Sequence, residues 1–188
     1  GNYDIAYLRC IPNMVICAPS DENETRKLLT TAYLHNGPAS VRYPRGMGPN
    51  RNVDKDLKPL KIGEANIINE ESSEIVILNF GTLLNEANQI SKELKATLVD
   101  MRFVKPLDEK LLKKLFKKAE VFISIEDGSI MGGAGSAVQE FASKENLNVR
   151  SILFGIPDKF IEHASREEML VEAGLDVEYI KSKLSKLL

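Results

Sequence analysis

Apolar runs of four or five residues alternate along this chain with stretches whose apolar side chains recur every third or fourth position. Met14-Val15-Ile16-Cys17-Ala18 is the first such run, the pattern of a buried parallel strand. Pro19-Ser20-Asp21 punctuates it. Ser20 is the expected helix N-cap, and Asp21, Glu22 and Glu24 load the first turn with the negative charge that a helix dipole favours. Thr25, Leu28, Leu29, Ala32 and Tyr33 then fall at helical spacing, until Asn36-Gly37-Pro38 stops the helix. Residues 39–43 read as the next strand, ended by Pro44-Arg45-Gly46. Ahead of all this, Ile5, Leu8, Cys10 and Ile11 form a short apolar patch closed by Pro12. Residues 1–45 therefore read as one strand–helix–strand crossover.

Residues 46–60, with Gly46, Gly48, Pro49, Asn50, Asn52 and Pro59 among charges, read as a linker, and residues 61–69 as an edge strand. The alternation then becomes regular. Strands are predicted at residues 75–79, 97–100, 121–125 and 150–154, with helices at 84–94, 108–119 and 134–144. Ser165-x-x-Glu168 is a capping box opening a further helix that Gly174 stops, and Asp176 caps the last one. The predicted fold is α/β: a mostly parallel sheet with helices on both faces, preceded by a strand–helix–strand remnant of a second α/β domain. The expected division is residues 1–53 and 54–188.

Composition narrows the function classes. Of 188 residues, 43% are apolar and 28% charged, which excludes disorder as the dominant state. Lys+Arg 25 against Asp+Glu 27 leaves no basic stripe for nucleic acid. No apolar run approaches the ~18 residues of a membrane span, so neither nucleic acid nor membrane is an expected partner. Residues 1–53 carry six basic and four acidic side chains, whereas the remainder is net acidic, a split that hints at two segments. Cys10 and Cys17 fit reduced, buried packing thiols, and with His35 and His163 far apart no zinc spacing exists.

Three features could carry chemistry. Met131-Gly132-Gly133-Ala134-Gly135 leads from a strand into a helix, where free backbone N–H groups can cradle a phosphate. The spacing is not G-x-G-x-x-G, and glycines that let helix and strand approach closely, with positive φ, explain the turn as well. Glu126-Asp127 is either a paired carboxylate or two solvated or interface groups. Val41-Arg42-Tyr43-Pro44-Arg45-Gly46 places two arginines at a strand's carboxyl end, where open parallel sheets bind ligands and where a guanidinium suits phosphate or carboxylate. A surface salt bridge is the competing reading, and Arg42 is expected to serve packing or such a bridge. Lys113, Lys114, Lys117 and Lys118 form a solvated basic face, and neither His35 nor His163 has a triad partner close in sequence.

Several blocks resemble the 1-deoxy-D-xylulose-5-phosphate synthase family: Tyr7-Leu8-Arg9-Cys10-Ile11-Pro12, Pro19-Ser20-Asp21-Glu22-Asn23-Glu24, Val41 through Gly46, Leu78-Asn79-Phe80-Gly81-Thr82, Met101 through Asp108, and Ile130 through Ser136. They occur in the family's order and cover nearly the whole chain. The resemblance implies a homodimeric, three-domain transferase that uses thiamine diphosphate and Mg2+; the cytoplasm is the default expectation for its location. Such an enzyme condenses pyruvate with glyceraldehyde 3-phosphate, releasing CO2, for isoprenoid, thiamine and pyridoxal precursors. It implies that residues 1–53 are the tail of the pyrimidine-binding domain and 54–188 the transketolase-like carboxyl-terminal domain. The family's catalytic histidine, cofactor-activating glutamate and metal ligands match nothing in this chain, so no catalytic, cofactor or metal residue is assigned. The chain alone is then expected to be inactive and to bind no cofactor. One functional position matches: Arg45 corresponds to the arginine expected to grip the substrate phosphate. The competing readings are a transketolase, a 2-oxo-acid dehydrogenase β subunit, or a non-catalytic α/β interaction module. The unbroken Met101–Asp108 and Tyr7–Pro12 blocks disfavour the first two.

Overall fold

The computed structural model describes residues 2–44 and 46–188. Its elements run α1 (Asp4–Leu8), β1 (Val15–Cys17), α2 (Glu22–Leu34), β2 (Ala39–Val41), β3 (Asn66–Asn69), β4 (Ser72–Phe80), α3 (Leu84–Leu94) and β5 (Ala96–Asp100). There follow β6 (Phe103–Lys105), α4 (Glu109–Phe116), β7 (Val121–Ser129), α5 (Ala134–Lys144), β8 (Arg150–Ile156), α6 (Arg166–Ala173) and α7 (Val177–Leu187).

The larger sheet has the order β3-β5-β4-β7-β8. β4 pairs in parallel with β5 and β7, and β7 with β8; only the edge strand β3 is antiparallel. All four strands predicted for residues 75–154 are present and parallel. Their continuous apolar sequences follow from burial on both faces. One face packs Leu112 and Phe116 of α4 and Val138 and Phe141 of α5 against Val76, Leu78 and Phe122. Phe116 stacks on Phe122 with centroids 5.1 Å apart. The other face packs Ala87 and Ile90 of α3 and Ile180 and Leu184 of α7 against Ile77, Leu98 and Ile123.

The smaller sheet has the order β2-β1-β6. β1 and β2 are parallel, joined by α2 as the crossover, but the third strand comes from the later part of the chain: Ile16 faces Lys105, antiparallel. Residues 1–53 thus share a sheet with the remainder. Ile5, Ile16 and Ala18 enter the same core as Val99 and Met101.

Several local expectations need correction. The apolar patch around Ile5 holds a short helix, α1, which buries Ile5 completely. The N-cap of α2 is Asp21, whose Oδ1 accepts from the Glu24 N–H at 2.8 Å; the Ser20 hydroxyl is directed elsewhere. The strand predicted at 39–43 ends at Val41, and the edge strand predicted at 61–69 begins only at Asn66. The Ser165 capping box, the left-handed Gly174 and the Asp176 cap are present as predicted.

The two cysteines are unpaired, but only Cys17 is buried; Cys10 is exposed, because it lies beyond the short α1 and not on a strand. Burial pushes the Cys17 thiol up to about 12. Iodoacetamide at neutral pH is therefore expected to label Cys10 in the native chain and Cys17 only after denaturation. Equal labelling rates would contradict the buried position of Cys17.

Candidate functional site

In an open parallel sheet, ligands bind beyond the carboxyl ends of the strands where the strand order reverses. Here β4 leads outward to β5 on one side and β7 to β8 on the other, so the reversal lies between β4 and β7. Gly81 and Thr82 follow β4, and Glu126 and Asp127 lie near the carboxyl end of β7.

The two adjacent acids diverge. Glu126 is 1% exposed and turns into its own helix: its Oε2 accepts from the Ala134 N–H at 2.8 Å and its Oε1 from the Gly135 N–H at 2.9 Å. The glycine-rich helix start is therefore filled by the protein's own carboxylate, and the close-packing reading of these glycines is the correct one. A Cβ on Gly133 would lie 2.0 Å from the Ser129 carbonyl oxygen, and one on Gly135 2.3 Å from Ser124 Oγ. Burial pushes the Glu126 carboxyl up to about 7, against the pull of the two amides.

Asp127 instead meets Arg42, the residue just after β2. Arg42 donates through Nη1 to Asp127 Oδ1, and through Nε to Asp4 Oδ2 at 2.8 Å. The second Asp127 oxygen accepts from Thr82 Oγ1 at 3.0 Å, and Arg166 at the start of α6 donates to that hydroxyl at 2.9 Å. Burial works against the Arg42 charge, but Asp127 and Asp4 outweigh it and hold the guanidinium more firmly protonated than usual.

Arg42 leads directly into Tyr43-Pro44, ahead of Arg45 in sequence. Arg45, the substrate-binding residue expected from the sequence, lies outside the described residues. Its neighbours Pro44 and Gly46 line a cavity of about 400 Å³ shared with Ser20, Thr25, Thr82 and Arg166. A second cavity of about 350 Å³ adjoins it, sharing Tyr43, Pro44 and Arg166. His35 and His163 line neither cavity.

A second polar cluster crosses the same seam, and sequence reading missed it. Ser20 Oγ donates to Asp100 Oδ2 at 2.6 Å, while Arg102 holds Glu24 through two bonds of 2.7 and 3.1 Å. Arg102 sits at a left-handed φ of 58° between β5 and β6, a conformation that re-aims its side chain after the strand ends. Positive φ at a non-glycine residue leaves no reliable sequence trace.

The resemblance implies thiamine diphosphate and Mg2+, which call for a diphosphate cradle and an oxygen-rich metal site. Glu126 fills the glycine-rich cradle, and no group of three or more His, Cys, Asp or Glu side chains could hold a metal ion among the described residues. The described residues do not fit the group. Nor is any described helix long and apolar enough to cross a membrane.

A mostly parallel sheet with helices on both faces, preceded by a crossover unit with its own small sheet, fits a recognised class. Residues 63–180 match the family model of the transketolase C-terminal domain, and residues 1–50 that of the transketolase pyrimidine-binding domain. The chain belongs to the transketolase family. Within it, the chain is 50% identical over 188 residues to the 1-deoxy-D-xylulose-5-phosphate synthase of Pseudomonas paraeruginosa strain PA7, covering 100% of this chain and 30% of that protein. The synthase of Stutzerimonas stutzeri strain A1501 is 51% identical over 189 residues with the same coverage. The chain thus spans about 30% of the length of the curated relatives it matches. Among solved structures, a split-gene transketolase described as an inactive β4 tetramer superposes with a TM-score of 0.84 at 27% identity, covering 97% of this chain and 60% of that one. A transketolase from Campylobacter jejuni shares the fold, with a TM-score of 0.63 at 19% identity over 98% of this chain and 28% of that one.

Proposed function

We propose that this chain is the carboxyl-terminal portion of a 1-deoxy-D-xylulose-5-phosphate synthase. In this reading the intact protein is a cytoplasmic homodimer that uses thiamine diphosphate and Mg2+ to condense pyruvate with glyceraldehyde 3-phosphate, releasing CO2. Residues 1–53 end its pyrimidine-binding domain and residues 54–188 form its carboxyl-terminal domain. The observation that carries the reading is the 50% identity to such synthases across all 188 residues. The groups that hold the cofactor and metal belong to the remainder of that protein, so this chain by itself neither binds thiamine diphosphate tightly nor turns over pyruvate. Calorimetry of the chain with thiamine diphosphate and Mg2+ tests this; micromolar binding, or CO2 release from pyruvate, would place the site within these 188 residues.

Arg45 is the proposed substrate-binding residue, gripping the phosphate of glyceraldehyde 3-phosphate. Its neighbours Pro44 and Gly46 line a cavity of about 400 Å³ that the Arg166 guanidinium also lines, beside the carboxylates of Asp21, Glu22 and Glu86. A charge-assisted hydrogen bond contributes about 1.5–3 kcal/mol. In the intact enzyme, Arg45→Ala is accordingly expected to raise KM for glyceraldehyde 3-phosphate by roughly 10- to 100-fold while KM for pyruvate stays within about twofold. Equal effects on both substrates would make Arg45 a structural residue.

A further inference from the structure

The crevice between β4 and β7 is where a sheet of this topology ordinarily takes a ligand. In this chain it takes Arg42. The guanidinium arrives from the other sheet and reaches partners distant in sequence: Asp4 in α1 and Asp127 on β7. Its side chain is only 12% exposed, and those of Asp4 and Asp127 are 16% and 19% exposed. Gly81 sits at φ +95°, and a Cβ there would lie 3.5 Å from both Arg42 Nη1 and Asp127 Oδ1, so the β4 turn closes over the ion pair. Thr82 fixes the remaining Asp127 oxygen, and the Arg42 N–H is itself tied to the Cys17 carbonyl of β1 at 3.1 Å. Both the backbone and the side chain of Arg42 are therefore held, one by each sheet.

We propose that Arg42 is a positioning residue and the β4–β7 crevice its socket, through which the carboxyl-terminal part of the chain sets the direction in which the backbone enters Tyr43-Pro44, immediately ahead of Arg45 in sequence. The chemistry requires a fork. Asp4 and Asp127 are engaged by different nitrogens of one guanidinium, which a lysine ammonium on its flexible stem does not reproduce. With the socket broken, β2 still pairs with β1, but the backbone beyond it at Tyr43-Pro44 loses its anchor. The inference rests on the proposed role of Arg45 for its functional half, and on geometry alone for its structural half.

The test therefore has two arms. In this chain, Asp127→Asn is expected to accelerate hydrogen exchange of the Arg42 amide, which donates to the Cys17 carbonyl, by roughly tenfold or more, with the β4 and β7 amides unchanged. In the intact enzyme the same substitution is expected to raise KM for glyceraldehyde 3-phosphate by roughly fivefold or more, with KM for pyruvate within about twofold. Thr82→Val, which removes one Asp127 hydrogen bond without touching a charge, is expected to act in the same direction but less. Thr82→Ser restores the hydroxyl and should return both readouts toward the parent. The Thr82 pair carries the test if Asp127→Asn does not fold. Unchanged exchange at the Arg42 amide overturns the socket. Faster exchange with no selective change in KM, in an enzyme that does use glyceraldehyde 3-phosphate, overturns the positioning role. An unmodified enzyme that ignores glyceraldehyde 3-phosphate sinks the proposed function instead, and the exchange arm still decides the socket.

Discussion

Gly133→Ala is expected to be among the most damaging single-methyl additions this chain can receive. The reason is space and not backbone freedom: Gly133 has φ −74°, which any residue adopts. Its missing Cβ would stand 2.0 Å from the Ser129 carbonyl oxygen and 2.6 and 2.7 Å from the two Glu126 carboxylate oxygens. The first neighbour is backbone, fixed near the end of β7, and cannot swing away. The other two are the atoms that satisfy the Ala134 and Gly135 amides at the start of α5. Relief of the clash thus costs either the strand end or the helix cap, and both are buried. Overpacking of this kind costs about 3 kcal/mol at the upper end of the usual range, which in a chain of this size lowers the unfolding midpoint by roughly 6–12 °C. The neighbouring Gly132→Ala gives the contrast. It meets Ala6 Cβ at an ordinary 3.4 Å and suffers only its left-handed φ of +70°, a cost of about 1 kcal/mol. Paired thermal melts should show Gly133→Ala the worse by several degrees. If Gly132→Ala is equal or worse, the helix start is not packed as described.

That contrast shows what was legible in the sequence. The glycines before Ala134 and the apolar spacing after it located α5 to the residue, because local chemistry alone sets that boundary. The parallel strands were legible for the same reason: burial on both faces leaves an uninterrupted apolar run. What fills the glycine-rich turn was not legible, because the Glu126 carboxylate and the amides it accepts from are brought together only by the strand-to-helix geometry. The Arg42–Asp127 pair spans 85 positions and left no periodic trace. β6 is three residues long and follows a left-handed Arg102, too short to show alternation, yet it joins the two sheets. Ser20 had the composition of an N-cap; Asp21 took that place because Asp100, far along the chain, claimed the Ser20 hydroxyl. The sequence pattern therefore marks the elements, and the seam between the sheets is where long-range polar pairing replaces it. Only the resemblance singled Arg45 out from Arg42.

Asp100→Asn is expected to stabilise the chain relative to the parent as pH rises, which is the opposite of what removing a charge from a salt bridge would do. Asp100 is 1% exposed at the carboxyl end of β5. Its Oδ2 accepts from Ser20, but its Oδ1 has no hydrogen-bond partner among the described residues, and neither does the Oδ1 of Asn79, its register neighbour on β4. Two buried acceptors on register-paired residues of neighbouring strands lack a donor, which a carboxyl proton or a carboxamide N–H supplies. Burial is the main cause that pushes the Asp100 carboxyl up to about 7 from 3.8; the Ser20 hydroxyl pulls it down, nearby Glu24 pushes it up and Arg102 pulls it down. A carboxyl raised in the folded state holds its proton more tightly there than in the unfolded chain. Its contribution to stability is complete below pH 3.8, falls as pH rises, and is gone above about pH 7. Asparagine does not titrate and keeps a donor at every pH. Between pH 5 and pH 8 the variant should therefore gain on the parent by roughly 3 kcal/mol, or about 6–12 °C in unfolding midpoint. Glu126, also raised, titrates identically in parent and variant, so subtracting the two melting curves isolates Asp100. A difference between variant and parent that does not change from pH 5 to pH 8 would mean that Asp100 is ionised in the fold and that Ser20 and Arg102, not a proton, satisfy it.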